Sequence, residues 1–398
     1  MKGHFDLFPQ ALQVGDEGQR RSFLIKETSV SGESTEKEFW FLYPTGLPMP
    51  DDDDCDSYLI AALLPAMQLN SDITVHGSVS LELLSNLTEL QLVWKKWCPE
   101  LYFSVEIKVA QIREHEEQVA GAVVAFSGGA DAQFSAYRHA TGQAGYRTQA
   151  LRAGVLVHGF DIPLDDTEGF SGAAQLASQA LDDLDLKLLT VQTNLRGYWD
   201  INWEDYCGTA LVAVLCGLKK YAGSGLIGSS DTYDQLDLPW GSHPVTDPLL
   251  SSSEFRVIHD GCGYSRTEKI KVISEWMQGI QNLRVCWDGG QNDRNCGCCE
   301  KCVRTRLNLL LAGVLNPLCF STPLRKKHLK AIKLASKGTA IEWNHIRNEI
   351  INTNVGIEWL QEVERVLKRK KSPVLSLLLP PDSRRRKGAK FLIEMYRK

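Results

Sequence analysis

The sequence lacks a long apolar run. Its strongest apolar segments, 59–67 and 374–379, are too short to cross a bilayer. The first 14 residues do not join a basic segment to a long apolar one, as a secretory signal would. A marked charge imbalance is also missing: the net charge is -5 over 398 residues, so no overall attraction to nucleic acid or anionic membranes is expected. We therefore expect a cytoplasmic protein without a membrane partner.

The sequence also lacks the even set of cysteines typical of a disulfide framework. It has 11 cysteines, several of them crowded between positions 286 and 302, which suits metal ligation in a reducing compartment better than disulfide bonding. Cys286, Cys296, Cys299 and Cys302 read C-x9-C-x2-C-x2-C, a spacing that can close tetrahedrally around one Zn²⁺. Four sulfur ligands leave no open position for water, so the predicted zinc is structural. Cys298 could replace a neighbouring ligand, remain a spare thiol or act as a nucleophile.

Three regions of the chain differ in their pattern. Residues 1–118 mix an extended aromatic segment with helical runs and predict an N-terminal α+β domain. Residues 119–318 alternate short β-rich runs with helices, which predicts an α/β domain with a doubly wound parallel sheet. Residues 319–398 predict a helical, basic C-terminal region. Its basic runs, 368–371 and 384–387, allow a nucleic-acid surface, but the scarcity of aromatic residues favours a solvated face.

The alternation in the central region is regular. Strands are predicted at 123–126, 154–160, 187–193, 225–228, 256–259 and 283–287, with helices at 132–140, 168–181, 203–221 and 267–279. In doubly wound sheets, ligands bind beyond the carboxyl ends of the strands. Motifs that directly follow a strand are therefore the first candidates for function.

The first of these strands runs directly into Ser127-Gly128-Gly129-Ala130-Asp131. Glycines let the backbone approach phosphate oxygens, and the N-terminus of the following helix directs free amides to the same place. Ser127 adds a hydroxyl donor. The segment lacks the Gly-Lys-Ser/Thr ending of a Walker A loop, which disfavours transfer of a γ-phosphate. The sequence therefore predicts a phosphate site of another kind.

The order Ser-Gly-Gly-x-Asp resembles the PP-loop of the N-type ATP pyrophosphatases, whose fold is of the adenine nucleotide alpha hydrolase type. The resemblance implies that a substrate oxygen attacks the α-phosphate of ATP, giving an adenylate and pyrophosphate. It further implies that Ser127, Gly128, Gly129 and Ala130 hold the pyrophosphate while Asp131 helps to place Mg²⁺ or the leaving group. Ala132 departs from the family, which usually has a second serine there.

Two further segments correspond to parts of this family's site. His158, Gly159 and Phe160 end the second strand, where adenine lies in the family, although a packed strand end would use the same residues. Arg266 and Lys269 open a helix and resemble the basic segment that contacts the phosphates. Exposed helix cations are the alternative interpretation of that pair.

The cysteine motif is similar to the zinc motif of 7-cyano-7-deazaguanine synthase, the QueC family. Together with the glycine loop it makes QueC-like proteins the closest resemblance over residues 122–314. The Tyr-Pro-Asp-Cys-Arg-type segment of that family is not intact here, so the same substrate is not implied. Some QueC-like proteins belong to bacterial antiviral cassettes and are thought to modify a partner protein, which makes a small acid or a partner protein the expected substrate.

A polar and aromatic loop between the fourth and fifth strands predicts a substrate lid. Asp234, Trp240, His243 and Asp247 are its candidates for substrate contact or proton movement, although a self-packed loop would use the same residues. Arg196, after the third strand, could orient a carboxylate.

Residues 51–54, with Asp56, form an acidic run before a predicted helix. They resemble a metal site. Carboxylates in this position also complement the helix dipole and cap its free amides, and that interpretation is favoured.

These expectations combine into an AMP-forming carbon–nitrogen ligase that uses ATP and Mg²⁺. It would adenylate a carboxylate or amide oxygen and let ammonia or an amine displace AMP. A PP-loop sulfurtransferase that uses Cys298 or Cys262 is the first alternative. A non-catalytic nucleotide-binding scaffold is the second.

Overall fold

The structure is a computed structural model that describes residues 2–114, 117–236, 238–286, 293–334 and 336–369. Contacts divide the chain into two compact units, residues 1–323 and 324–398. The first unit is an α/β structure built on one 11-stranded, mostly parallel sheet with the order β11-β10-β7-β8-β9-β4-β3-β1-β5-β6, in which β2 pairs with β3 beside this path. The expected α/β class is confirmed at this level.

The front part of the sheet combines antiparallel and parallel strands. Its elements are β1 (Gly3–Pro9), β2 (Gln13–Gly15), β3 (Gly18–Thr28), β4 (Ser34–Tyr43), α1 (Asp56–Leu69), β5 (Ser71–Ser80), α2 (Leu81–Trp97) and β6 (Ile107–Arg113). β1, β3 and β4 pair antiparallel, whereas β5 is parallel to β1 and β6. In β1 alternate residues are buried, so Phe5 and Leu7 enter the core.

The second part of the sheet is wholly parallel. Its elements are β7 (Ala122–Ala125), α3 (Ala130–Ala140), β8 (Leu151–His158), α4 (Thr167–Asp182), β9 (Lys187–Thr193), α5 (Trp203–Cys216), β10 (Ser224–Gly228) and β11 (Arg256–Asp260). The chain builds β8 and β9 on one side of β7, then returns to place β10 and β11 on the other. The order of the strands therefore reverses at β7, and such a switch point is where doubly wound sheets bind ligands.

Three of the expected elements in this region differ from the structure. The single helix expected over 267–279 is interrupted after Ile273 and resumes at Met277. Leu283, Arg284, Val285 and Cys286 do not form a strand, and Trp287 lies outside the described residues. The helix expected over 203–221 ends at Cys216 and is followed by turns. Three helices follow β11: α6 (Arg266–Ile273), α7 (Met277–Gln281) and α8 (Glu300–Leu311).

The two parts of the sheet join between β4 and β9. Among the described residues, this antiparallel contact pairs Phe41 with Thr193 and Leu42 with Gln192. Asn194 extends it, because its side chain accepts from the Trp40 N–H at 3.0 Å and donates to the Glu38 carbonyl at 3.0 Å. The sequence boundary expected near residue 118 thus falls within one continuous sheet.

The second unit is helical over its described residues. It contains α9 (Lys326–Ala331), α10 (Lys337–Thr353), a 3₁₀ turn (Ile357–Trp359) and α11 (Leu360–Lys368). Trp343, Ile346 and Ile350 of α10 are buried, as are Val363 and Val366 of α11. The basic positions 370–371 and 384–387 lie outside the described residues. Among the helices that the structure describes, none is both long and apolar enough to span a membrane.

Candidate anion and metal sites

The glycine loop lies directly after β7, at the switch point of the sheet. Gly128 has φ +76°, a left-handed conformation that residues with a Cβ rarely adopt. Gly129 is extended and precedes the first residue of α3. The first N–H groups of a helix have no acceptor within that helix, so those of Ala130 and Asp131 face the same side as the loop. This geometry suits an anion.

Arg284 fixes the opposite side of the loop. Its N–H donates to the Gly128 carbonyl at 2.9 Å, and its guanidinium donates to the Ser127 carbonyl at 3.2 Å. These contacts turn two loop carbonyls towards residue 284 and bring a cation beside the loop. These contacts also explain why residues 283–286 do not form a strand, because the Arg284 N–H bonds to the loop instead of to a neighbouring strand. Sequence patterns gave no sign of this role for Arg284.

Asp131 gathers two cations at the start of α3. Its carboxylate accepts from the Arg266 guanidinium at 2.5 Å and from the Lys269 ammonium at 3.2 Å. Lys269 is fully buried and also donates to the Ser229 carbonyl after β10. Burial raises the pKa of Asp131, but the charges of Arg266 and Lys269 outweigh it and leave the pKa below its ordinary value.

The start of α6 is set by a capping box. The Ser265 hydroxyl accepts from the Glu268 N–H at 3.3 Å, and the Glu268 carboxylate accepts from the Ser265 N–H at 2.7 Å. Arg266 and Lys269 are three residues apart in this helix, so they extend from one face. The expectation of a helix that opens on these two cations is confirmed as local structure.

Helix α8 brings further positive charge to the same place. Its residue Asn308 accepts from the Thr267 hydroxyl of α6 at 2.9 Å, which ties the two helices together. Burial, together with the nearby charges of Arg266 and Arg304, lowers the pKa of Lys301 to about 7, while the charge of Asp131 opposes this shift. Arg266, Arg304 and Lys301 thus lie close enough for their charges to interact.

Gly228 lets β10 approach the loop closely. A Cβ at this position would lie 2.7 Å from the Asp131 carbonyl oxygen. The strand end and the first turn of α3 can therefore touch only because residue 228 has no side chain. Ser229, the next residue, meets Lys269 as described, so β10 supports both the loop and its cations.

Four cysteines converge where the sequence expects a metal. The sulfurs of Cys286, Cys296, Cys299 and Cys302 all lie within 4.8 Å of one another, with 3.8 Å between Cys286 and Cys299 and between Cys296 and Cys302. A zinc ion at the usual Zn–S distance requires sulfurs about 3.8 Å apart. These residues could therefore hold a metal ion. Cys298 is exposed and lies outside this mutual set, although its sulfur is 3.7 Å from that of Cys296.

Asn295 fastens the cysteine segment to its surroundings. Its side-chain oxygen accepts from the N–H groups of Val285, at 2.8 Å, and Cys286, at 3.2 Å. Its amide nitrogen donates to the carbonyls of Leu283, at 2.7 Å, and Cys319, at 3.0 Å. One polar side chain thus replaces the sheet hydrogen bonds that residues 283–286 lack. A single Asn gives no signal of this kind in a sequence.

The adenine candidates are packed at the end of β8. His158 stacks on Phe170, with ring centroids 4.2 Å apart, and its Nε2 lies 2.8 Å from the Pro163 carbonyl oxygen. Phe160 is buried, and Gly159 has φ +102° with no room for a Cβ against Thr193. All three have structural contacts that account for their residue types.

The remaining substrate candidates have contacts and exposures of their own. The guanidinium of Arg196 donates to the Phe160 carbonyl and lies over the Trp203 ring, 4.6 Å from its centroid. Asp234 is exposed and Trp240 is half-buried. His243 and Asp247 are buried together, and the His243 N–H donates to Asp247 at 3.0 Å.

The acidic run before α1 divides into exposed and buried residues. Residues 51–53 are exposed, whereas Asp54 and Asp56 are buried with Glu254 in a group that could hold a cation. The Lys219 ammonium occupies the position of that cation, 2.9 Å from Asp56 and 2.8 Å from Glu254, and it also contacts Asp54. Arg113 adds a guanidinium 3.1 Å from Asp54 and 2.9 Å from Asp56. This cluster is an internal ion-pair network.

The fold and these sites define an α/β protein with a glycine loop at the switch point of its sheet and a four-cysteine cluster that could hold a metal ion. Comparison with known proteins adds no family: no protein-family model, no curated protein and no solved structure matches this chain.

Proposed function

We propose that this chain is an ATP-dependent, AMP-forming carbon–nitrogen ligase of the PP-loop type, similar to QueC proteins. The observation that carries the proposal is the group of two cations, Arg266 and Lys269, gathered by Asp131 at the glycine loop after β7. Cations at this position would neutralise the charge that develops on a departing pyrophosphate.

In the proposed reaction, a substrate oxygen attacks the α-phosphorus of ATP. The bond from that phosphorus to the bridging oxygen breaks, and pyrophosphate leaves with the electron pair. The N–H groups at the start of α3 and the hydroxyl of Ser127 would bind its oxygens. Arg266 and Lys269 would balance its charge, and Arg284 would keep the loop carbonyls turned away.

Asp131 has a positioning role in this scheme. Both of its carboxylate oxygens accept hydrogen bonds from cations. This supports a role in placing the departing pyrophosphate, through those cations, over direct ligation of Mg²⁺. Mg²⁺ would enter with the phosphates of ATP, and no step is assigned to a magnesium ion held by this carboxylate.

The cysteine cluster would hold a structural Zn²⁺. Its spacing fits a tetrahedral site, which when filled contributes folding free energy and leaves no open position for a reactant. Cys286 lies two residues after Arg284, and Cys299 and Cys302 lie at the start of α8. The metal would therefore fix both segments that support the anion loop.

The proposed substrate is a small acid or a carboxylate of a partner protein, and the nucleophile is ammonia or an amine. Arg196, Asp234 and Trp240 are the exposed or half-buried candidates for contact with this substrate. The sulfurtransferase alternative finds less support. Cys262 is buried, and burial raises the pKa of its thiol; Cys298 is exposed, but burial and the neighbouring Cys296 raise its pKa as well.

The proposal is tested by incubating the zinc-loaded protein with ATP, Mg²⁺, ammonium and a panel of carboxylic acids, and by separating the nucleotide products. AMP and pyrophosphate in equal amounts are expected. Arg266→Gln should abolish them, whereas Lys271→Gln, a substitution on the same helix, should not. ADP and phosphate as the products would overturn the proposal, and no turnover with any acid or protein partner would favour the scaffold alternative.

A further inference from the structure

A fifth cysteine lies beside the four-cysteine cluster. Cys298 is exposed and Cys296 is half-buried, and their sulfurs are 3.7 Å apart. Gly297, between them, has φ +73°, and the turn brings the Cys298 N–H within 3.5 Å of the Cys296 sulfur. A disulfide bond is about 2.05 Å long, so a short movement of the two side chains closes it. The chain therefore places a pair of thiols at the edge of the candidate metal site.

Cys296 is the ligand candidate best placed to react with Cys298. Cys286 and Cys302 are buried. Cys299 is half-buried, but it follows Cys298 directly, and adjacent Cα atoms are about 3.8 Å apart, closer than the roughly 4.4 Å minimum that a disulfide usually spans. With a metal in the cluster, Cys298 would stay outside the ligand set and would keep its thiol. The cluster thus has a spare thiol in contact with one accessible ligand.

The four-cysteine cluster connects two segments that support the glycine loop. Cys286 lies two residues after Arg284, whose N–H donates to the Gly128 carbonyl at 2.9 Å. Cys299 precedes the first residue of α8, and its sulfur is 3.8 Å from that of Cys286. Helix α8 is hydrogen-bonded in turn to α6, which carries the two cations at Asp131. Loss of one ligand from the cluster would therefore act on both supports of the loop.

We propose that Cys296 and Cys298 form an oxidation site, at which a peroxide converts the two thiols to a disulfide, releases the metal and weakens anion binding at the glycine loop. This inference rests on the zinc site of the proposed function. A metal-bound sulfur is a thiolate, the form of cysteine that attacks an oxidant. Cys296 is accessible enough to meet one, because it is only half-buried.

The reaction proceeds in two steps. The Cys296 sulfur attacks one oxygen of hydrogen peroxide, and the O–O bond breaks with its electron pair on the other oxygen, which leaves as hydroxide and takes a proton from solvent. The Cys298 sulfur then attacks the sulfur of the sulfenic acid formed at Cys296. The S–O bond breaks, and the departing hydroxide takes the proton of the Cys298 thiol. Two sulfurs are thus oxidised by one electron each, and the peroxide is reduced to two waters.

The disulfide is mapped on zinc-loaded protein that has been treated with hydrogen peroxide, alkylated and digested with trypsin. Trypsin releases residues 295–301, with their three cysteines, as one peptide. We expect this peptide to carry an alkyl group on Cys299 alone and an internal disulfide between its other two cysteines. A bond from this peptide to the one that contains Cys286 or Cys302, an internal bond to Cys299, or no disulfide at all would overturn the inference.

Zinc release should follow the same disulfide. A chromogenic chelator should report about one zinc per chain as the disulfide forms, and a thiol reductant with added zinc should reverse the loss. Cys298→Ser should slow the release by about tenfold or more, because it lacks the second thiol. Cys319→Ser is the control: it removes a half-buried thiol outside the ligand set and should release zinc as the unaltered protein does. Equal release rates in the two variants would overturn the role of Cys298.

Pyrophosphate binding separates this inference from the proposed function. Oxidised protein should bind pyrophosphate about tenfold or more weakly, because a displaced loop loses its binding geometry, and reductant with zinc should restore the affinity. Unchanged affinity after complete disulfide formation would overturn the inference and leave the ligase proposal standing. A protein that shows all the oxidation effects but forms no AMP with any acid would refute the ligase and retain the oxidation site.

Discussion

Two regions of the first unit bury charge in opposite ways. Around Asp54, Asp56 and Glu254 the chain supplies its own counter-ions, because Lys219 and Arg113 fill the space between the carboxylates. From the glycine loop to the cysteines, two cations lie at Asp131 and the sulfurs of four cysteines lie within 4.8 Å of one another. The first cluster is neutralised by the protein's own cations, whereas the proposed function has the second region receive an anion and a metal ion from outside.

The largest expected effect is loss of the metal. Cys296→Ser should remove bound zinc and lower the free energy of unfolding by about 5 kcal/mol or more, because the metal supplies folding free energy to its site. Metal analysis and urea unfolding measure this. Cys298→Ser is the matched control: its exposed thiol lies outside the set of four, so zinc and stability should persist. Zinc loss in the control and not in Cys296→Ser would change the ligand assignment.

The internal cluster is tested by removing its central cation. Lys219→Met should cost about 3–5 kcal/mol, because three buried carboxylates lose their main partner. Lys220→Met is the control, since Lys220 pairs with the same Glu254 but its side chain is 35% exposed against 1% for Lys219. A small effect at Lys219 and a large one at Lys220 would reverse the assignment of the central counter-ion.

The same variant has a signed pH dependence. Burial already raises the pKa of Asp54, with Asp56 adding to it and Lys219 opposing. Without Lys219 the pKa rises further, so the folded state binds more protons than the unfolded state, and stability falls as pH rises. The loss of unfolding free energy in Lys219→Met, measured by denaturant titration, should therefore become smaller as the pH falls from 7 to 5. A defect that grows on acidification would contradict the carboxylate assignment.

The cations at Asp131 should respond to pyrophosphate. The ion-pair network around Asp54, Asp56 and Glu254 should not. Arg266→Gln should weaken pyrophosphate binding by about 10- to 100-fold, the range expected for losing a hydrogen bond to a charged group. Isothermal calorimetry of the variant and of Lys271→Gln measures the difference. Equal affinity in both variants would show that the α6 cation at Asp131 does not face the anion.

The smallest effect concerns the loop backbone. Gly128→Ala should cost about 1–2 kcal/mol because an alanine is strained at φ +76°. Gly142→Ala matches this strain, since Gly142 has φ +73° and open space around it after α3. Both variants should lose similar stability, but only Gly128→Ala should lose pyrophosphate affinity. If both variants lose pyrophosphate affinity at an equal folded fraction, backbone strain in general, and not the position of Gly128, causes the loss.

Local patterns revealed much of the fold. Short apolar runs separated by helical segments predicted the parallel strands β7 to β11, and the glycines after β7 marked the loop at the switch point. The same reasoning predicted a strand at 283–287 that the structure does not contain over 283–286, because Leu283 and Val285 alternate with Arg284 as they would in a strand. Their backbone is satisfied by Gly128 and Asn295 instead. Periodicity reports side-chain burial and does not say which group accepts a backbone hydrogen bond.

Contacts between distant residues could not be found in this way. Lys219, Arg113 and Glu254 are far from one another in the sequence, and the fold brings them to Asp54 and Asp56. The cysteine cluster was visible because three of its ligands are close in sequence and share a side-chain chemistry. His259, a residue of a predicted strand, gave no signal of its contact with Asp247, since that contact depends on the turn between them.

The narrow contact between β4 and β9 has a consequence for synthesis on the ribosome. Trp40 and its partner Asn194 are 154 residues apart. At about 5–20 residues per second, the aromatic strand β4 waits roughly 8–30 s before β9 is made. Through that interval its outer edge is a template for other nascent chains, because an unpaired strand edge invites intermolecular pairing. A chaperone that shields residues 34–43 during translation should therefore raise the soluble yield of this chain.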